Sequence, residues 1–243
     1  MRRLLIALLC SLLLLPMAGL AAPPGADRIL IFTRTAKFHH DSIPVAVATL
    51  RQLSTEAGLR ADHSEDPRDF RADTLARYRA VVFANTTGDV LDATQQAAME
   101  QFIRNGGGFM GVHAAADTEY DWPWYGELVG AWFHKHPEGL QDTLVQPERD
   151  GKASGVAWPI RDELYNYRRN PRGMVQVIAT VDESRYDGGT MGADHPIAWC
   201  RPFDGGRSWY TGLGHDAAVY ADPNVRAQLR RGLRYAAGHA PAC

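Results

Sequence analysis

The chain has 243 residues, of which 45% are hydrophobic and 22% charged, with a formal net charge of −2 at pH 7. That balance carries no basic stripe for nucleic acid and no acidic block of the kind that keeps a tail disordered, and it leaves enough apolar residues for a folded core. Nucleic acid is therefore excluded as an expected partner, and attention passes to a small-molecule site.

Arg2 and Arg3 precede an apolar run from Leu4 to Leu15, then Pro16 and small residues ending in Gly19-Leu20-Ala21. This is the order of a secretory signal peptide, with cleavage expected after Ala21 and a periplasmic or secreted mature protein. The run is short for a membrane span, so no stable membrane insertion is expected after cleavage. Cys10 follows Leu9 rather than a small residue, which argues against a lipid attachment site. The expected organisation is a signal peptide at 1–21, a linker at 22–27 and a single domain at 28–240.

Arg28 to Thr33 is an apolar run of strand length, the pattern of a strand buried on both faces. Pro44 to Ala57 has helical spacing in Val45, Val47, Leu50 and Leu53, with Gly58 as a stop. Leu59 to His63 reads as a second strand and Arg79 to Ala84 as a third. Asp92-Ala-Thr-Gln95 has the capping-box pattern for a helix through Arg104, and Gly106 to Val112 is the next strand. The order β-α-β-α-β-α-β predicts a mostly parallel sheet with helices on both faces.

Trp122 to Pro171 is rich in Trp, Tyr, Pro and His and weak in periodicity. It reads as excursions over one sheet edge, with a strand or two near Thr143 to Gln146. Val175 to Val181 is a further strand. Pro196 to Arg201 and Arg207 to Gly212 flank Phe203-Asp-Gly-Gly206, a hairpin signal with Gly205-Gly206 as the expected loop. Asp222-Pro223 starts a last helix through Ala237. Cys200 and Cys243 can pair in an exported chain, which would tie down the tail.

Five of the nine histidines fall where strands end or a hairpin returns: His39, His40, His113, His195 and His215. In an open α/β sheet, ligands bind at the carboxyl ends of the parallel strands, so these five are expected on one rim. His134 and His136 can fold over it, while His63 and His239 read as surface residues. The strand-turn-helix around Gly108-Phe-Met-Gly-Val-His113-Ala-Ala is shaped like a nucleophile elbow. Imidazole there suits proton transfer or metal binding rather than acyl transfer.

FHHDS (38–42), SEDP (64–67), GGGFMGVHAAADT (106–118), YGELVGAWFHKHP (125–137), DELYNY (162–167), DHPIAWC (194–200) and YTGLGHD (210–216) lie in one order along the chain. As a set they resemble the ThuA-like (trehalose utilisation) family, within the class I glutamine amidotransferase-like group. The resemblance implies a flavodoxin-like sheet that has lost the amidotransferase cysteine, with His113 at its position. It also implies a role in bacterial sugar utilisation, particularly of oxidised (3-keto) disaccharides.

The remaining residues suit a sugar. Trp122, Trp124, Tyr125, Tyr165 and Tyr167 offer flat faces for a pyranose ring. Glu163 and Asp117 are candidate acids or bases, with His113 and His215, and Asp194 can orient a histidine. His39, His40, Trp124, His136, Tyr167, Asp194 and His195 are expected to contact substrate. A divalent metal is a further possibility, with His113, His195 and His215 as its candidate ligands, although no HExxH-type spacing supports it. Three functions compete: acid–base processing of a sugar derivative by hydrolysis or elimination, non-catalytic carbohydrate binding, and a metal-dependent amidase.

Overall fold

The structure is a computed structural model that describes residues 27–243. The expected signal peptide, its cleavage point and Cys10 lie outside the described residues. Among the described residues, no helix is long and apolar enough to cross a membrane.

The first half follows its sequence pattern closely. Strands β1 (Arg28–Phe32), β2 (Arg60–Ser64), β3 (Ala80–Ala84) and β4 (Gly108–Val112) alternate with helices α1 (Ile43–Glu56), α2 (Ala72–Leu75) and α3 (Ala93–Arg104). β1, β3 and β4 are buried almost throughout, because side chains alternate between two covered faces. Ile29 and Ile31 face one core with Leu50 and Leu53 of α1, while Leu30 and Phe32 face the other with Met99 and Phe102 of α3. α3 begins with the expected capping box: Asp92 accepts from the backbone of Thr94 and Gln95, and the Gln95 side chain accepts from the Asp92 N–H.

The region read as irregular is largely ordered. It contains α4 (Pro123–Val129), β5 (Phe133–Lys135), β6 (Gln141–Arg149), β7 (Lys152–Ala153), β8 (Trp158–Asp162) and β9 (Asn166–Tyr167). Most of these elements are too short for a period to show in sequence. β8 still alternates: Trp158, Ile160 and Asp162 point inward, while Pro159 and Arg161 are exposed. β10 (Gln176–Val181), β11 (His195–Phe203), β12 (Gly206–Thr211) and α5 (Pro223–Ala236) complete the fold. Asp222 caps α5 through the N–H groups of Asn224 and Val225.

The large sheet runs β2-β1-β3-β4-β12-β11-β10-β6-β7, with β8 also paired to β6. β2, β1, β3, β4 and β12 are mutually parallel, and the strands beyond β12 pair antiparallel. This is a flavodoxin-like order extended by an antiparallel flank. The β11–β12 loop is Asp204-Gly205, one residue earlier than expected, because Phe203 pairs with Gly206. Both loop residues have positive φ, 44° and 88°, as a type I′ turn requires. Cys200 on β11 is disulfide-bonded to Cys243, with Cα atoms 6.4 Å apart, so the tail is anchored to the sheet.

Candidate functional site

The carboxyl ends of β1, β4 and β12 share one edge of the sheet, and the chain leaving each carries a histidine there. His40 lies in the loop between β1 and α1, His113 follows β4 directly, and His215 lies beyond β12. Glu163 follows β8, which the antiparallel flank brings round to the same edge. One ligand-type atom from each of these four side chains lies within 4.8 Å of those of the other three.

His113 begins a five-residue 3-10 turn, His113–Asp117, with φ of 47°. A left-handed conformation is uncommon for a residue with a Cβ and is retained where the surroundings fix it. The surroundings here are tight. His113 Nδ1 lies 2.8 Å from the carbonyl of Gly212, the Tyr210 hydroxyl donates to the His113 carbonyl at 2.8 Å, and the Tyr165 ring lies 4.2 Å away. The carbonyl can only accept, so Nδ1 carries a proton and Nε2 is the nitrogen that faces the site. That Nε2 lies 3.4 Å from Glu163 Oε2, as does His215 Nδ1. The other oxygen, Oε1, lies 3.3 Å from Nδ1 of the half-exposed His136.

The loop that carries His215 is held from both sides. Buried Asp162 accepts from the N–H of Gly214 at 2.7 Å and of Asp216 at 2.9 Å. The Gly214 carbonyl accepts from Ser42 Oγ at 3.0 Å and from Asn85 Nδ2 at 3.2 Å. Gly214 itself has φ of 137°, and a Cβ there would press on the Tyr220 hydroxyl at 2.7 Å, so only glycine fits between His113 and that ring.

Burial shapes the ionisation. It pushes His40 down to about 3, helped by neighbouring His113 and His215, so His40 is neutral. Burial also opposes ionisation of Glu163, but His113 and His215 outweigh it and hold the carboxyl well below the usual range. Glu163 in turn raises His215. Burial raises Asp162, and it raises Asp117 despite the Tyr120 hydroxyl, which donates to Asp117 Oδ1 at 2.6 Å.

Residues 28–236 match the model of the family described as ThuA, trehalose utilisation. The chain belongs to the ThuA family. Among solved structures it is similar to a protein described as ThuA-like from Bacteroides uniformis, at 21% identity and a TM-score of 0.71, over 90% of this chain and 94% of that one. A second, from Parabacteroides merdae, is 20% identical with a TM-score of 0.69, over 87% and 90% of the two chains. A β-galactosidase from Rahnella sp. R3 shares 14% identity and a TM-score of 0.54, over 86% of this chain and 31% of its own; this likeness is one of fold alone. No curated protein matches.

The ThuA fold brings together His40, His113, His136, Glu163 and His215 of the expected residues, with Asp117 close by at the end of the 3-10 turn. Apart from Tyr165, it does not bring in the rest. His195 is fully buried, and its Nε2 lies 2.9 Å from the Tyr165 carbonyl. Its Nδ1 lies 2.7 Å from Glu183 Oε1 and 3.1 Å from the Tyr186 hydroxyl. Both ring nitrogens are spent, and burial lowers its pKa, so His195 belongs to neither a substrate surface nor the three-histidine metal set expected from sequence. Asp194 is bound by Arg172 at 2.7 Å and Asn170 at 2.8–3.0 Å rather than by a histidine. His39 is exposed and meets Thr35 Oγ1 at 3.3 Å.

The aromatic expectations are corrected in the same way. Trp124 donates to Asp204 in the β11–β12 loop at 2.8 Å, at the opposite end of β12 from His215. Trp122 donates to Glu100, and the buried Tyr125 donates to the Ala115 carbonyl. Tyr167 is buried against Trp199 and Tyr210. Of the expected aromatic residues, Tyr165 alone reaches the site. The turn after β4 also ends after five residues, so it offers no long helix to aim N–H groups at a ligand. His63 is half-buried, with Nε2 2.7 Å from Thr33 Oγ1, not a free surface residue.

Sequence reasoning passed over Asp162, Ser42 and Asn85, which fix the His215 loop, and Phe38, which is 60% exposed with its ring 4.8 Å from His40. Asp162, Ser42 and Phe38 stand inside the DELYNY and FHHDS motifs, and Asn85 directly follows β3. Their position at strand ends was the available signal.

Proposed function

We propose that this ThuA-family protein processes a sugar derivative, a 3-keto-glycoside or related disaccharide, by acid–base chemistry. The observation that carries the reading is the Glu163 carboxylate. It is held ionised by His113 and His215 on its inner side and faces the half-exposed His136 on its outer side. A buried carboxylate with a histidine at the open side is a proton-handling pair. His136 Nδ1 lies 2.7 Å from the Pro137 carbonyl, which leaves Nε2 as the basic nitrogen.

A ketone at C3 of a sugar acidifies the C–H beside it. His136, backed by Glu163, takes that proton, and the electron pair moves into the enolate. Collapse of the enolate expels the oxygen substituent at C1, which receives a proton as it leaves. Water addition to the product would complete a net hydrolysis. No nucleophile is required, in keeping with histidine at the elbow. Exposed Phe38 beside His40 offers a flat face for a sugar ring, and the family's description as trehalose utilisation supports the substrate class. The export expectation fits this role as well; N-terminal sequencing of periplasmic material should find a mature chain that begins near Ala22, and an intact Met1 in the cytosol would end it.

The test is a product assay on 3-keto-glycosides beside their unoxidised parents and simple amides. Products from the keto sugars alone are expected. Saturable binding without product would make the protein a carbohydrate-binding module, and amide turnover would make it an amidase-like hydrolase; either result removes this reading.

A further inference from the structure

Three buried imidazole nitrogens around Glu163 have no hydrogen-bond partner: His40 Nδ1, His113 Nε2 and His215 Nδ1. His113 and His40 are 0% and 3% exposed, so bulk solvent does not reach their rings. Buried polar atoms in folded proteins are nearly always satisfied, and each exception calls for a cause. Here the exceptions converge. His113 Nε2 stands 3.4 Å from a carboxylate oxygen, and His215 Nδ1 stands at the same distance from the same atom. A proton on one of these histidines would give Oε2 one donor and leave the other nitrogens unsatisfied. A single divalent cation satisfies all four groups at once.

From this we infer that His40, His113, His215 and Glu163 form a binding site for one divalent transition-metal ion, with imidazole and carboxylate ligands of the kind zinc accepts. The inference deepens the proposed function by adding a metal to the same site, but its geometry is independent of the identity of the sugar.

The four ligand atoms lie within 4.8 Å of one another. Tetrahedral zinc with bonds of about 2.1 Å needs ligand atoms about 3.4 Å apart, so side-chain shifts on the order of 1 Å close the set. The supporting shell is in place. His113 gives its other ring proton to the Gly212 carbonyl at 2.8 Å, as metal-bound histidines regularly do. Asp162, Ser42 and Asn85 fix the backbone beside His215. Glu163 binds through Oε2 and keeps Oε1 toward His136, so the proton-handling side stays open while the metal polarises a substrate oxygen.

The test uses the full chain, stripped with chelator and reloaded with Zn²⁺, with metal content read by elemental analysis and affinity by titration. One equivalent per chain is expected. His215→Gln should weaken Zn²⁺ binding by about tenfold or more, and His40→Gln likewise, while His195→Gln leaves it unchanged. Because a variant at buried His40 can fail to fold, the half-buried His215 decides. A rise in melting temperature on adding Zn²⁺, present in the wild type and lost in His215→Gln, is the second readout. Wild-type protein that takes up far less than one equivalent, or undiminished binding by folded His215→Gln, overturns the site. Stoichiometric Zn²⁺ without turnover of keto sugars upholds the site and removes the sugar reading. Turnover by a chain that binds no Zn²⁺ overturns the site and leaves the sugar reading standing.

Discussion

Among the described residues two fully buried histidines each meet a glutamate, and the two pairs differ in one respect that separates architecture from chemistry. His195 and Glu183 meet at 2.7 Å, a distance that one shared proton closes, and every other polar atom of the pair that faces the interior has a partner: Tyr165 and Tyr186 for the ring, the N–H groups of Met191 and Gly192 for the carboxylate. His113 and Glu163 meet at 3.4 Å, His215 stands at the same distance from the same carboxylate oxygen, and His113 Nε2, His215 Nδ1 and His40 Nδ1 have no hydrogen-bond partner. A closed network stabilises a fold because nothing in it asks for a ligand. An open one is less stable by itself and gains from what it binds. Both histidines are fully buried, so burial alone does not distinguish them; the accounting of partners does.

The largest expected effect comes from opening the comparison at the carboxylates. Glu163→Gln should lower keto-sugar turnover by about 100-fold or more, the scale of a lost general acid–base group. Its melting temperature should hold or rise, because the new amide can hydrogen-bond to ring nitrogens that now have no partner. Glu183→Gln should do the reverse, with kcat within a few-fold of wild type and a lower melting temperature. Kinetics and melts on both variants check the pair; equal kinetic losses would erase the distinction.

His113→Asn tests the elbow at similar size. Asparagine tolerates the left-handed backbone and can donate to Gly212, so the turn should survive while turnover falls by about 100-fold. A folded variant with wild-type kcat would make His113 structural.

Truncating the closed pair is a stability experiment. His195→Ala takes the ring away from the Tyr165 carbonyl and the Tyr186 hydroxyl and leaves Glu183 with only the N–H groups of Met191 and Gly192, and should cost about 1–3 kcal/mol in denaturant unfolding. Activity measured well below the melting temperature should remain. Loss of turnover without loss of stability would return His195 to the site.

A smaller effect is expected next door at Asp194. Arg172 holds its carboxyl below the ordinary range. A depressed carboxylate contributes stability that is fully present above its unfolded pKa of about 3.9 and is lost as pH falls through the lower folded value. The pair is half-exposed, so Asp194→Asn should cost under about 1 kcal/mol at pH 7, and the difference from wild type should shrink as pH drops below about 4. A difference that grows on acidification contradicts the assignment. The smallest effect belongs to His63→Ala, whose loss of one contact to Thr33 should move stability by no more than about 1 kcal/mol and leave turnover unchanged.

The sequence alone determined the features that neighbouring residues enforce on one another. The doubly buried runs of β1 and β3, the capping box before α3, the presence of a hairpin between β11 and β12 (though not its register) and the Pro223 start of α5 are local rules, and the parallel order of the first half follows from their alternation. His40, His113 and His215 were legible for the same reason, because each stands where a parallel strand ends. Tertiary structure decided the rest. The path of residues 119–194 depends on antiparallel pairings of short strands whose partners lie far along the chain, and no local period encodes that choice. It is this path that carries Glu163 and His136 to the rim, turns Trp124 toward the opposite end of β12 and closes His195 against Glu183. Strand-end position suggested a place for His195 on the rim, but only the fold supplied Glu183, Tyr186 and the Tyr165 carbonyl to occupy its ring, because hydrogen-bond partners are set by three-dimensional neighbours rather than by sequence spacing.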